Sequence, residues 1–119
     1  MDTRKAILSY QYSERMKSGL IIGTQLLEQL ISLKSEEEIS GGKKVLIWYI
    51  EGLLRELRIA ENVLGTFEYE GLERKLMELI GRIQMSQYQE AQRSFSESIS
   101  LVTTSCQHSM SYLIEKKLV

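Results

Sequence analysis

The sequence contains almost no residue that ends a helix. Its 119 residues include no proline, and Asp2 and Asn62 are the only aspartate and asparagine. These residue types, together with glycine and serine, form most turns and helix ends. Because only glycine and serine remain for this purpose, we expect a few long elements joined by short connections.

The segment 43–67 has the clearest periodic pattern in the chain. Apolar or small residues follow one another at intervals of 4, 3, 4, 3, 4 and 3, at Leu46, Ile50, Leu53, Leu57, Ala60, Leu64 and Phe67. This spacing places them on one face of a helix, whereas a strand would alternate with a period of two. Ile47, Leu54 and Ile59 widen the face, so we expect this central helix to contact more than one neighbour.

A first helix is predicted from about Thr3 to Lys34. Its apolar seam has the same spacing and consists of Met16, Leu20, Gly23, Leu27 and Leu30. Gly19 and Gly23 form a small-xxx-small pair on this helix. Each glycine costs roughly 1 kcal/mol in a helix relative to alanine. The pair therefore indicates close approach of another backbone.

Two segments are predicted to connect these helices to their neighbours. Ser35, followed three positions later by Glu38, matches a capping box, so a helix can begin there. Alternatively, the glycines at 41–42 form the turn and the second helix begins at Lys43. Gly65 is predicted to end the second helix in the left-handed conformation.

The segment 71–118 can form one helix or two. Its first seam is Leu72, Leu76, Leu79 and Ile83, and its second is Tyr88, Ala91, Phe95, Ile99, Val102, Cys106, Met110 and Leu113. A phase shift separates the seams near 84–87, and a continuous helix can absorb it as a stutter. Such a helix would be about 70 Å long, and its exposed apolar overhang would pack against a second copy. A break within 84–94 would instead give a four-helix bundle that can be monomeric.

Serine is unusually frequent in the same part of the chain. Residues 84–111 contain eight serines and five glutamines. Serine is a mediocre helix former. These residues therefore form either a solvated polar face or small positions that permit close helix packing.

Composition and charge restrict the partners of this protein. The 15 basic and 16 acidic residues give a net charge of −1 without a long basic run, so we do not expect direct nucleic-acid contact. The most apolar segment, 19–33, is too short and too polar to span a bilayer. A single cysteine and the lack of a signal-peptide h-region favour a cytoplasmic location.

The residues that could carry chemistry are few. Cys106 and His108 are two positions apart, so they point to different faces of a helix, and no other cysteine or histidine completes a zinc site. Cys106 lies on the apolar seam and is predicted to be a buried, inert thiol. The cluster at 36–38 would need carboxylates from a facing helix to bind a divalent cation. Those carboxylates would be Glu68, Glu70, Glu73 or Glu78.

Together these patterns predict an all-α, up-down helical bundle, a single domain over 1–119. It has three long helices, the last either continuous or broken into two, and it is completed by dimerisation. We expect a homodimeric binding or assembly module that binds no cofactor or metal and has no catalytic residue. The alternatives are a metal-dependent helical nucleotide hydrolase that uses the glutamate cluster, and a small regulatory subunit of a larger complex. The predicted interface residues are Trp48, Tyr49, Phe95, Ile99, Val102, Met110 and Leu113.

Overall fold

The computed structural model describes residues 2–65 and 69–117, and these ranges form four α-helices without any strand. The helices are α1 (Thr3–Ser32), α2 (Glu36–Leu64), α3 (Glu70–Gln84) and α4 (Tyr88–Glu115). The first helix packs on α2 and α4, and α3 packs on the same two helices, so the four enclose one hydrophobic core. The all-α prediction is therefore confirmed. The bundle measures 54 × 22 × 17 Å.

Polar caps begin α1 and α2. The Asp2 carboxylate accepts a hydrogen bond from the backbone N–H of Lys5 at 2.8 Å. The Ser35 hydroxyl accepts one from the N–H of Glu38 at 3.1 Å, so the predicted cap at Ser35 is confirmed and the glycines at 41–42 lie inside α2. Gly65 ends α2 in the left-handed conformation, with φ of 65°, as predicted.

The chain breaks between α3 and α4, at 85–87, so the alternative with a break within 84–94 is confirmed and the continuous helix over 71–118 is wrong. Ser86 adopts a left-handed backbone with φ of 58°. Its N–H donates to the carbonyl of Ile83 at 3.0 Å, and the N–H of Gln87 donates to the carbonyl of Arg82 at 2.8 Å. This pair of bonds is a Schellman motif, which ends a helix. The 70 Å helix and its overhang therefore do not exist, and the overhang no longer supports a dimer.

The apolar seams predicted for the first three helices form the core. Every seam residue of α1, α2 and α3 that the structure describes is buried, and Phe67 lies outside the described residues. Two of the residues that widen the α2 seam differ in burial, because Leu54 is buried and Ile59 is exposed. The face of α4 turned to the core mixes apolar and small polar side chains, namely Ala91, Ser94, Phe95, Ser98, Val102, Cys106, Ser109 and Leu113.

Gly19 and Gly23 are the places where α1 contacts its neighbours most closely. A Cβ at Gly23 would lie 2.7 Å from Cε1 of Phe95 on α4. At Gly19 it would lie 2.7 Å from Cδ2 of Leu53 on α2. The close approach is therefore made by side chains of two different helices, whereas the sequence suggested another backbone.

We expect Ser86→Gly to stabilise the protein, by up to about 1 kcal/mol. Left-handed backbone costs roughly 1–2 kcal/mol for a residue with a Cβ, and glycine avoids this cost. The variant loses only an exposed hydrogen bond from Lys43 Nζ to the Ser86 hydroxyl. Urea unfolding measures the free energy of unfolding.

The matched control is Ser96→Gly, an exposed serine inside α4. Here glycine removes a Cβ from a regular helix, so stability should fall by about 0.5 kcal/mol. Loss of stability in both variants would contradict the role assigned to Ser86.

Candidate functional site

An open groove runs between the outer faces of α1 and α2, with a volume of about 850 Å³. Three apolar side chains along it are unusually exposed: Trp48 at 64%, Ile59 at 58% and Ile22 at 47%. The complete lining is Glu14, Arg15, Ser18, Gly19, Ile22, Trp48, Tyr49, Gly52, Leu53, Arg55, Glu56 and Ile59. A contiguous exposed apolar patch rimmed by polar residues is the usual mark of a binding surface.

Helix α2 creates this groove because it has two apolar faces. One face is the core seam. Further exposed apolar residues lie one helical turn from Trp48 and Ile59 and lengthen the outer face, at Val45 and Val63. On α1, Leu26 follows Ile22 by one turn and is also exposed.

Polar groups fix the inner wall of the groove. The Tyr49 hydroxyl donates to the carbonyl of Gly19 at 2.7 Å, which joins α2 to α1. Burial, and then the negative charge of Glu56, raise the pKa of Tyr49 above its ordinary value. At the rim, Arg15 and Glu56 form an exposed ion pair of 3.5 Å. A pair of this kind contributes little to stability.

The interface residues predicted from the sequence do not share one surface. Trp48 is exposed in the groove, and Tyr49 is half-buried beside it. On α4, two residues are half-buried, Ile99 and Met110, and three are buried in the single chain, Phe95, Val102 and Leu113. The buried three pack inside the bundle, so a partner would reach them only if the bundle opened.

A cluster of hydroxyl groups lies in the core between α1, α4 and the start of α3. Ser13 Oγ is 3.0 Å from Tyr69 Oη, and Ser109 Oγ donates to Ser9 Oγ at 3.0 Å. Tyr69 also donates to the backbone carbonyl of Ser9 at 3.2 Å. All four residues are buried, and their hydroxyls satisfy one another, as buried polar groups require.

The sequence analysis did not find this hydroxyl cluster. Its two serines on α1 continue the spacing of the seam upstream of Met16, but they are polar and were not counted with the apolar residues. Tyr69 lies in the connection between α2 and α3, where spacing predicts no buried face. The serine-rich composition of α4 was the available signal. Some of the α4 serines are buried, Ser94, Ser98 and Ser109, whereas others are exposed, Ser96, Ser100 and Ser111, and Ser86 is exposed in the turn before α4. Both interpretations of the serines therefore hold, on opposite faces of α4.

Glu73, one of the carboxylates considered as a metal-site partner, lies far from the acidic cluster at 36–38. Glu36–Glu38 are exposed in the first turn of α2. Glu73 pairs at 3.2 Å with Arg58, which lies 22 residues beyond Glu36, or about 33 Å along the helix. Within the described residues, no group of three or more histidine, cysteine, aspartate or glutamate side chains is arranged to hold a metal ion. Glu68 lies outside these residues.

Glu61 is the carboxyl whose environment is least favourable to its charge. Its Oε1 atom is buried without a hydrogen-bond partner among the described residues. Burial raises the pKa of Glu61 above its ordinary value, and the nearby carboxylates of Glu73 and Glu70 raise it further. The positive charge of Arg58 acts in the opposite direction but does not reverse the shift.

Cys106 is buried, as predicted, and His108 lies on the exposed face of α4. The Cys106 thiol donates to Oε1 of Glu14 at 2.9 Å. Burial, with this hydrogen bond and the Glu14 charge, raises the pKa of Cys106 to about 11. A thiol with this pKa is almost entirely protonated at neutral pH, and the protonated form is a poor nucleophile.

Comparison with models of protein families, with curated proteins and with solved structures gives no significant match. In the described residues, no helix combines the length and the apolar character needed to cross a membrane.

We expect Glu61→Gln to stabilise the protein at neutral pH. The raised pKa means that the folded chain binds this proton more tightly than the unfolded chain does. The contribution of Glu61 to the stability of the fold is therefore present at low pH and is lost as the pH rises through the pKa of Glu61 in the folded chain. Glutamine resembles the protonated form, so the gain should be clear at pH 7 and should vanish in acid.

Urea unfolding of both proteins across this pH range measures the difference in stability. Glu28→Gln, at an exposed position on α1, is the control and should give no pH-dependent difference. A gain from Glu61→Gln that is equal at every pH would contradict the assigned cause.

We expect Cys106 to react with iodoacetamide far more slowly in the folded protein than in urea. A rise of its pKa from 9.0 to about 11 lowers the thiolate fraction at neutral pH by about 100-fold. Mass spectrometry follows the labelling. Glu14→Gln removes the carboxylate that holds the thiol proton, so it should speed labelling without unfolding the chain. Equal rates in folded and unfolded protein would contradict the prediction.

Proposed function

We propose that this protein is a non-catalytic, cytoplasmic helical-bundle module that works by binding or assembly, and that it acts as a homodimer. The observation that carries the proposal is the groove between α1 and α2, with Trp48 as its most exposed apolar side chain. A tryptophan in such a position is costly to leave in water and is enriched among residues that dominate binding energy.

The length of this exposed apolar surface supports a binding role. The apolar side chains on the outer face of α2 extend from Val45 to Val63, about 27 Å along the helix. Exposed apolar residues scattered singly need no explanation, whereas a row beside a groove does. A helix laid into such a groove buries residues at intervals of three and four, which is a common recognition mode.

We also infer an up-down order for the four helices. The connections between α1 and α2 and between α3 and α4 have three residues each, and short connections favour antiparallel neighbours. Contacts distant in sequence agree with this order, since Gly19 is joined to Tyr49 and Ser9 to Ser109. In this arrangement the outer faces of α1 and α2 form one side of the bundle, which a partner can cover as a unit.

We expect Trp48→Ala to weaken self-association by at least tenfold while helicity is retained. The Trp48 side chain is largely exposed in the monomer, so the substitution leaves the core unchanged. In the dimer it removes apolar area from the interface. Size-exclusion chromatography with light scattering over a dilution series measures the dissociation constant. Trp48 is the only tryptophan, so the fluorescence of the wild-type protein should also shift to the blue as its concentration rises and the dimer buries this ring.

Met77→Ala is the control, since Met77 is comparably exposed but lies on α3, away from the groove. It should leave the dissociation constant unchanged. A wild-type chain that stays monomeric at every concentration would contradict the homodimer. That result would leave the groove for a different protein, as expected of a regulatory subunit.

A further inference from the structure

The part of the α2 outer stripe from Val45 to Ile59 is nearly symmetric in its spacing about Gly52, and Gly41 and Val63 continue the stripe at −11 and +11. Its members lie at −7, −4, 0, +3 and +7 residues from this glycine, at Val45, Trp48, Gly52, Arg55 and Ile59. Aliphatic residues lie at both ends, and an aromatic ring and a cation occupy corresponding inner positions. A helix with such a stripe can match a copy of itself that runs in the opposite direction, because a two-fold axis exchanges the two halves.

Two charged residues, one in this stripe and one beside it, have no ionic partner in the part of the chain that the structure describes. Neither Glu51 nor Arg55 forms an ion pair with the described residues. The Arg55 guanidinium lies over Gly52, with Nη2 3.7 Å from the position that a Cβ there would occupy. Nothing else lies within 4 Å of that position, so the backbone at Gly52 is open to close approach.

We propose that α2 packs antiparallel against α2 of a second copy, with the two-fold axis at Gly52. This rests on the homodimer proposed above and specifies its interface. Around that axis Val45 lies opposite the partner's Ile59, and Trp48 lies beside the partner's Arg55. A guanidinium over a tryptophan ring is a favourable cation–π contact. The two glycines meet at the centre, where each helix lacks a side chain.

The charges favour the antiparallel arrangement over the parallel one. With the axis at Gly52, Glu51 lies within about 3 Å, measured along the helix, of the partner's Arg55. Opposite charges therefore meet twice across the interface. A parallel pair would instead place the two Glu51 side chains together and the two Arg55 side chains together, and like charges at an interface are penalised.

The size of the surface fits a stable dimer. The helices α1 and α2 have 30 and 29 residues, so each is about 44 Å long. The bundle is 22 Å wide, which gives the whole face of α1 and α2 an area of about 970 Å². A specific interface of standard size takes about 800 Å² from each partner. One face can therefore supply the contact without opening the core.

The first test compares two glycine substitutions on different helices. Gly52→Ala on α2 and Gly81→Ala on α3 both add a methyl group at a helical position where the single chain has room, and both raise helix propensity. Gly52 lies on the proposed axis, whereas α3 lies outside the proposed interface. We expect Gly52→Ala to raise the dimer dissociation constant at least tenfold, measured by light scattering. Gly81→Ala should leave it within twofold of the wild-type value.

The second test measures direction by crosslinking, in a Cys106→Ser background. Val45→Cys and Ile59→Cys chains of different tag length are mixed and treated with a short bis-maleimide. The antiparallel dimer should give a product that joins the two different chains. Each variant alone should give none, because its two cysteines would be about 21 Å apart.

The outcomes separate this inference from the function on which it rests. A monomeric wild-type protein overturns both. A wild-type dimer overturns the Gly52 axis alone if Gly52→Ala dimerises normally, or if Val45→Cys chains crosslink with themselves. Loss of the dimer in Gly52→Ala together with the mixed crosslink supports the axis.

Discussion

The left-handed backbone at Ser86 decides the shape of this protein, because it turns the second half of the chain back on itself. Without that turn the segment after residue 70 would be one helix, too long for α2 to cover. With this turn, α3 packs between α2 and α4, and a salt bridge from Lys75 to Glu97 joins α3 to α4. The closed bundle therefore depends on three residues, 85–87, held by backbone hydrogen bonds.

Closing the bundle requires α1 and α4 to come close together, and small residues make this possible. Gly23 leaves room for the buried ring of Phe95, and the hydroxyls of Ser9, Ser13 and Ser109 meet without large side chains. Hydrogen bonds are directional, so this cluster also favours one register of α4 against α1. The small residues thus serve both packing and alignment.

Features that depend on hydrophobic periodicity and on local capping chemistry could be predicted from the sequence. The seams of α1, α2 and α3, the cap at Ser35 and the end at Gly65 followed from spacing and local chemistry. The break at Ser86 was left as one of two alternatives because its left-handed position holds serine where glycine or asparagine is usual. The phase shift at 84–87 was the remaining signal. The groove was missed because spacing alone does not show that Leu54 is buried and Ile59 exposed.

The two halves of the core differ in the residue types that they bury, and this bears on why α2 would dimerise. Between α1 and α4, serine hydroxyls occupy positions where leucines would otherwise pack. The seams of α2 and α3 are aliphatic almost throughout. A second apolar face on α2 therefore places any partner against a helix that, within the described residues, packs on α1 and α3 but not on α4. Burial there would cover the side of α2 that its two neighbours leave open, and a partner that binds the folded state stabilises it.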